Sequence, residues 1–138
     1  MNFTRYRGTF ALIVAMVCLP AWAATPAELL ESFNKEAWQS DPGFKGFSRQ
    51  RGQQLFQLAH GGEWSCASCH TDNPAASGKH AKTGKVIAPL APSANADRFT
   101  SAAKVEKWFK RNCNDVLGRA CTPQEKGDVL SWLMGIAN

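Results

Sequence analysis

The chain has 138 residues, of which 44% are hydrophobic and 20% charged, and its formal net charge at pH 7 is +5. This length fits one small domain rather than several. Beyond the first 23 residues, no stretch is apolar for long enough to predict a membrane-spanning helix.

Residues 1–23 have the organisation of a secretory signal peptide. Arg5 and Arg7 form a positive n-region, a short apolar segment follows, and Ala23 ends a small-residue cleavage site. The apolar segment is too short to span a bilayer, and an uncleaved membrane anchor is the alternative. We therefore predict a periplasmic mature chain of residues 24–138, whose net charge is about +3 after both arginines are lost.

Two helices are predicted ahead of the first cysteine motif. Thr25 to Glu28 combine an N-cap, a proline at the first helical position and a capping-box acid, which predicts a short helix to Ala37. Asp41-Pro42-Gly43 ends that helix. Ser48 can cap a second helix that runs to about Ala59.

Cys66-Ala67-Ser68-Cys69-His70 is a C-x-x-C-H run, which in an exported protein is typical of c-type haem attachment. The two thiols lie about one helical turn apart, so each can add to one haem vinyl group, and His70 then supplies the proximal nitrogen to iron. The alternatives are a surface dithiol, half of a zinc site or a thioredoxin-like pair. Zinc would need a second pair at short spacing, and a thioredoxin-like pair would need a βαβ context.

The remaining cysteines of the mature chain form an even pair. Cys18 leaves with the signal peptide and the haem takes two thiols, so Cys113 and Cys121 are left. In an oxidising compartment such a pair predicts a disulfide that closes a short loop, and two free buried thiols are the alternative.

The second half of the chain begins with a loop and ends in two helices. Residues 71–96 are rich in Gly, Pro, Ser, Ala and Lys, which predicts a loop around the haem edge. A third helix is predicted from Thr100 to Asn112, and Thr122 to Glu125 repeat the capping pattern at the start of a fourth. Met134 is expected in the core of that last helix.

A short helix before C-x-x-C-H and a longer one at the C-terminus resemble the class I cytochrome c fold, an all-α fold with about four short helices here. The resemblance implies that these two helices cross closely, with Gly52 at the contact and Phe56 against Trp132 or Leu133. It also implies that a proline carbonyl accepts the proton on the free nitrogen of His70. Pro89 is the best candidate, with Leu90 against the haem ring, and Pro74 and Pro92 are the alternatives.

The residue on the other side of the iron decides the function. An ordinary low-spin carrier is the alternative function, and its iron would be closed by Met134, His80 or a lysine. Asn112 continues the apolar stripe of Val105, Trp108 and Phe109 at helical spacing, so a polar amide is aimed towards the core. A helix C-cap or a backbone hydrogen bond is the structural alternative for this amide.

Four segments together, CASCHT, KTGKVIAP, VEKWFKRNC and GRACT, resemble the sphaeroides haem protein (SHP) family of high-spin, oxygen-binding class I cytochromes c. In that family the asparagine before the first disulfide cysteine is the distal haem ligand. The resemblance therefore implies that Asn112 is a metal ligand and that a Cys113–Cys121 disulfide tethers it.

The resemblance also implies how the protein works. A neutral amide oxygen is a weak ligand for ferrous iron, so reduction should release Asn112 and open a pocket walled by Trp108 and Phe109 for a diatomic molecule such as O2 or NO. Electrons should come from an acidic redox partner, such as a dihaem cytochrome c, that docks on exposed lysines. Nucleic acid is not an expected partner. A dedicated enzyme is less expected than an electron-transfer and ligand-binding protein, since no distal His-Arg pair of the peroxidase kind is evident.

Overall fold

The computed structural model describes residues 23–137, so the predicted signal peptide up to residue 22 lies outside the described part of the chain. Within that part there are five helices: α1 (Pro26–Ser40), α2 (Arg49–Gln57), α3 (Ala67–His70), α4 (Ala102–Leu117) and α5 (Pro123–Met134). A small antiparallel hairpin of β1 (Gly78–Lys79) and β2 (Val86–Ile87) lies between α3 and α4.

The helices begin where the capping patterns predict. Thr25 and Thr122 each accept a hydrogen bond from the backbone of a glutamate three residues on, and that glutamate caps back, which completes a capping box at α1 and at α5. The Ser48 side chain accepts from the Arg51 amide at the start of α2. These bonds satisfy amides that a helix leaves unpaired in its first turn.

Three sequence expectations need correction. The third predicted helix, α4, does not end at Asn112 but continues to Leu117, where Gly118 ends it in the left-handed conformation (φ 68°). Asn112 is therefore inside the helix and is not its C-cap. The C-x-x-C-H run forms a short helix of its own, α3, and the segment predicted as a plain loop contains the hairpin, because Gly and Lys residues hid its weak strand pattern.

The predicted close crossing of α2 and α5 is confirmed. A Cβ on Gly52 would lie 2.8 Å from the Val129 amide nitrogen and closer still to the Asp128 carbonyl, so only a glycine fits at this contact. Phe56, one turn on, packs against Trp132 with ring centroids 4.9 Å apart.

An ion pair between a half-exposed arginine and a buried aspartate, which the sequence did not reveal, ties the same crossing together. The Asp128 carboxylate on α5 is only 3% exposed. It accepts from Arg51 Nε at 2.7 Å and Nη2 at 2.9 Å, and from the Ser48 amide at 2.6 Å. The start of α2 is thereby fixed to α5.

The core consists of two clusters that meet at Phe99 and Phe109. The first contains Leu29, Phe33, Val105 and Leu130, and the second contains Phe56, Val129 and Leu133. Both α1 and α2 lie close along α5, whereas α4 stands off from the other helices and reaches the core through its side chains. Within residues 23–137, no helix is long and apolar enough to cross a membrane.

Candidate haem site

The two thiols of the C-x-x-C-H run lie one turn apart on α3. The amides of Cys69 and His70 both donate to the Cys66 carbonyl, at 3.2 and 3.0 Å. Ser65 and Ser68 hold the start of this turn, since the Ser65 amide donates to Ser68 Oγ at 2.9 Å and the Ser68 amide to Ser65 Oγ at 3.2 Å. Neither cysteine forms a disulfide. The turn therefore presents two thiols at the spacing that two haem vinyl groups need.

The loop after α3 folds back over this turn. The Ala81 amide, in the tip of the hairpin, donates to Cys69 Sγ at 3.3 Å. The Pro74 carbonyl accepts from the amides of Leu90 and Ala91, at 2.8 and 2.9 Å, and joins the two ends of the loop. The segment is thus built around the attachment site.

His70, the predicted proximal ligand, lies partly buried at the end of α3. Its ring is 6.2 Å from the ring of Phe56. Burial lowers the pKa of His70 to about 4, and the positive charge of Arg98 acts in the same direction. The imidazole is therefore neutral near pH 7, as a metal ligand must be. Burial likewise raises the pKa of the Cys66 thiol to about 11.

The predicted hydrogen bond from His70 to the Pro89 carbonyl is absent from the described residues. That carbonyl accepts instead from Arg98 Nε at 2.8 Å and from Asn95 Nδ2 at 3.3 Å, while Arg98 Nη2 donates to the Ala88 carbonyl at 2.6 Å. The guanidinium is a charged fork of donors and outcompetes a neutral imidazole for this oxygen. Leu90 packs against the cluster of Phe56.

Helix α4 carries the residues predicted for the other side of the haem. Phe109 is partly buried and meets Phe33 edge-on at 5.9 Å. Trp108, of the same apolar stripe, is 49% exposed and lies against the Arg111 guanidinium at 5.7 Å. A contact of Trp108 with the haem stays a prediction.

Asn112 is partly buried on the same helix, and none of the residues 23–137 hydrogen-bonds its side-chain amide. The next residue, Cys113, forms a disulfide with Cys121, with the Cα atoms 5.6 Å apart. An unpaired amide thus sits beside a covalent tether.

The two alternative ligands lie in unsuitable surroundings. His80 Nδ1 accepts from the amides of Lys82 and Thr83, both at 3.3 Å. In the neutral imidazole the proton then sits on Nε2, which has no lone pair for a metal. Met134 was expected in the core but is 38% exposed, beside Ala27 and Leu30 of α1, because α5 ends at this residue.

Two residues next to the site have a positive φ that the sequence did not signal. Thr71 (φ 61°) directly follows His70, and Phe99 (φ 59°) joins the two core clusters. For residues with a Cβ such conformations cost on the order of 1–3 kcal/mol and often occur at functional sites.

The residues present fit a haem. The thiols are free and one turn apart, and the His70 imidazole is neutral and has no hydrogen bond to any of the described residues. Cys66 packs against the same core cluster as several apolar side chains that are only partly buried and could pack on a porphyrin: Leu90, Phe99, Phe109 and Trp132. No cluster of three or more His, Cys, Asp or Glu residues in the described part could hold a metal ion, so a zinc site lacks its further ligands.

Comparisons with known proteins agree with this site. A family model described as a domain of unknown function, DUF1924, matches residues 42–133. The chain is 44% identical over 130 residues to the cytochrome c-type protein SHP of Cereibacter sphaeroides, covering 90% of this chain and 95% of that protein. It is 51% identical over 79 residues to cytochrome c'' of Methylophilus methylotrophus, covering 57% and 55% of the two chains.

Solved structures give the same result. Oxidized SHP, described as an oxygen-binding cytochrome c, superposes with a TM-score of 0.74 at 42% identity, covering 83% of this chain and 99% of that one. Oxidized cytochrome c'' superposes with a TM-score of 0.72 at 38% identity, covering 82% and 95%. With its class I cytochrome c fold and one haem c attached through Cys66 and Cys69, the chain belongs to the SHP family of c-type cytochromes.

Proposed function

We propose that this monohaem cytochrome is a high-spin protein whose sixth iron position is closed by Asn112 in the ferric state and opened on reduction for a small diatomic molecule, O2 or NO. Bound haem supplies a one-electron redox centre and, at an open position, affinity for such molecules. The chain supplies the gate, which is Asn112 with its Cys113–Cys121 tether.

The observation that carries this proposal is the position of Asn112. Its side chain is partly buried on α4, makes no hydrogen bond to residues 23–137, and directly precedes the disulfide-bonded Cys113. A ligand role accounts for a partly buried amide on α4 that has no hydrogen-bond partner among the described residues. The SHP relative, an oxygen-binding cytochrome c, supports the choice of diatomic ligand.

The release of Asn112 on reduction follows from the chemistry of its amide. Its neutral, hard oxygen holds ferric iron better than ferrous iron, so reduction weakens its hold. The solution structure of cytochrome c'' was analysed for the structural basis of haem-ligand detachment, so a related fold releases a haem ligand. An ordinary low-spin carrier would need His80 or Met134 at the iron, and the surroundings of both disfavour it.

Replacing Asn112 tests the proposal directly. Asn112→Met and Asn112→His should give low-spin optical spectra in both oxidation states, because these ligands have stronger fields, and the ferrous protein should lose carbon monoxide binding. Asn114→Ala is the matched control, since Asn114 is on the same helix but is exposed and hydrogen-bonded to the Lys110 carbonyl. A high-spin spectrum that is unchanged in both Asn112 variants would refute the proposal.

Export to the periplasm is part of the same proposal. Residues 1–23 would act as a signal peptide and residues 24–138 as the haem domain, which brings the cysteines into an oxidising compartment. Mass spectrometry of the periplasmic protein should find Ala24 at its N-terminus and one haem added. A protein retained in the membrane with residues 1–23 intact would contradict this proposal.

The electron donor is proposed to be a redox protein with an acidic surface, such as a dihaem cytochrome c. Exposed cations occur on the hairpin segment (Lys79, Lys82 and Lys85) and along α4 (Lys104, Lys107, Lys110 and Arg111). Docking between opposite charges weakens with salt, so the reduction rate should fall as ionic strength rises and should fall further in Lys82→Glu. Lys45→Glu, an exposed site before α2, is the control, and a rate independent of salt would count against this partner.

A further inference from the structure

Helix α4 has unusual surroundings for a helix that presents a metal ligand. Among the described residues, its backbone comes close to the other helices at very few points, whereas α1 and α2 lie along α5. Its core contact is made by the side chains of Val105 and Phe109. Within residues 23–137, only one hydrogen-bonded ion pair and one disulfide tie it to the segment that contains α5.

The ion pair joins Glu106 of α4 to Lys126 of α5. Lys126 Nζ lies 2.7 Å from Glu106 Oε2 and 2.9 Å from Glu106 Oε1. It is also 3.9 Å from a Glu36 carboxylate oxygen and 5.2 Å from the centre of the Phe33 ring. The Lys126 side chain is only 13% exposed. This ammonium group thus joins α1, α4 and α5 at one point.

The two links lie on one stripe of α4. Glu106 and Cys113 are seven residues apart, which is about two turns and about 10 Å along the helix axis. A crevice separates α4 from the start of α5 there, lined by Glu106, Lys110, Asn114, Ala120, Cys121 and Lys126. One anchor would let the helix pivot beside this crevice, whereas two anchors fix its direction.

We infer that Lys126 and Glu106 are a positioning pair that holds α4 so that Asn112 reaches the iron, with the disulfide as the second anchor. This inference rests on the proposed function, because it assumes that Asn112 is the ligand. Neither Lys126 nor Glu106 touches the metal. Without the pair, α4 loses one of its two anchors. Asn112 should then bind ferric iron less tightly and compete less well with an added ligand.

Cyanide binding to the ferric holoprotein measures this competition, because cyanide must displace Asn112. Glu106→Gln and Lys126→Met should each raise the cyanide affinity roughly two- to fivefold, the range that a partly exposed ion pair can supply. The two changes combined should have no more effect than either one alone, since both break the same pair. Arg119→Met is the matched control. It breaks the 2.7 Å ion pair between Arg119, in the loop that connects α4 to α5, and Glu125 of α5, and this pair does not involve α4.

Combining each pair variant with Asn112→Ala shows whether the Lys126–Glu106 pair acts through Asn112 and whether Asn112 is a ligand at all. In that background Glu106→Gln should no longer change the cyanide affinity. If Asn112→Ala itself leaves the affinity unchanged, the proposed ligand is wrong. If Asn112→Ala raises the affinity but Glu106→Gln and Lys126→Met do not, only the positioning pair is refuted. An effect of Glu106→Gln that persists without Asn112 would also refute it.

Amide hydrogen exchange gives a readout that does not depend on the haem ligand. Exchange across α4 should quicken in Glu106→Gln and Lys126→Met and stay unchanged in Arg119→Met, because only the first two free the helix. Unchanged exchange in both pair variants would refute the role of the pair as an anchor.

Discussion

The thiol side of the haem site and the Asn112 side are built differently. On the thiol side, α3 is hydrogen-bonded within itself, covered by the hairpin through the Ala81–Cys69 contact, and next to the α2–α5 crossing. On the other side, α4 stands off from the helices and is held by side-chain packing, the Lys126–Glu106 pair and one disulfide.

This difference matches two chemical demands. A covalently attached cofactor with a permanent proximal ligand needs a rigid surrounding structure. The close packing of α1 and α2 along α5 provides this rigidity. A ligand that is proposed to leave on reduction needs an element that can shift at small cost. A helix held at a few points can do so, because few apolar contacts have to break when it moves.

The largest expected effect is a loss of stability caused by a substitution at the α2–α5 crossing. Gly52→Ala places a Cβ against the Asp128 backbone at the α2–α5 crossing, and backbone cannot move aside there as a flexible side chain could. We expect the free energy of unfolding of the ferric holoprotein to fall by about 4 kcal/mol or more in denaturant titrations.

Gly62→Ala is the control for that substitution, because its Cβ would lie 3.5 Å from the Val116 carbonyl oxygen, an ordinary contact. A loss of stability in Gly52→Ala no larger than in the control would mean that the crossing is not the rigid half of the molecule.

The scaffold was largely predictable from the sequence. The capping residues Thr25, Ser48 and Thr122, the thiol spacing and the glycine one turn before Phe56 each have a local physical cause that a sequence displays. The family resemblance then supplied the crossing and the partner of Phe56, which no periodicity shows.

The features that were missed depend on contacts between distant segments. The Arg51–Asp128 pair joins residues 77 positions apart, and nothing local to either residue indicates it. The bond from Arg98 to the Pro89 carbonyl was missed for a related reason, since it depends on how the loop folds back. The end of α4 was misjudged because Asn112 and Cys113 resemble a helix terminus, whereas the actual signal was Gly118.

Removal of the Cys113–Cys121 disulfide should have an effect of intermediate size on stability. Removing it by Cys113→Ala with Cys121→Ala should lower the free energy of unfolding by about 2–3 kcal/mol, the loop-closure value for so short a loop. Because the tether is next to Asn112, the same variant should also bind cyanide more tightly in the ferric state. Gly52→Ala should not raise cyanide affinity at temperatures where it is folded.

Chemical denaturation and cyanide titration of the same samples separate the two halves. Equal changes of cyanide affinity in the disulfide variant and in Gly52→Ala would show that both halves respond as one unit, and the distinction between a rigid and an adjustable side would then fail.

The smallest expected effect belongs to Glu125, which caps α5 and pairs with Arg119 at 2.7 Å inside the connection between α4 and α5. The hydrogen bond from Arg119 lowers the pKa of Glu125, which burial opposes. A carboxyl with a lowered pKa in the folded state stabilises the fold above its ordinary value of 4.5, and this contribution is lost as the pH falls through the folded value.

Glu125→Gln keeps the capping geometry and removes the charge, so it should lower the free energy of unfolding at pH 7 by roughly 0.5 kcal/mol. That difference from the parent protein should shrink as the pH is lowered below 4.5, because the parent carboxylate becomes protonated. Glu31→Gln is the control, since the Glu31–Lys35 pair spans 3.8 Å on the exposed face of α1. A Glu125→Gln deficit that stays constant down to pH 3 would mean that the charge of Glu125 does not stabilise the start of α5.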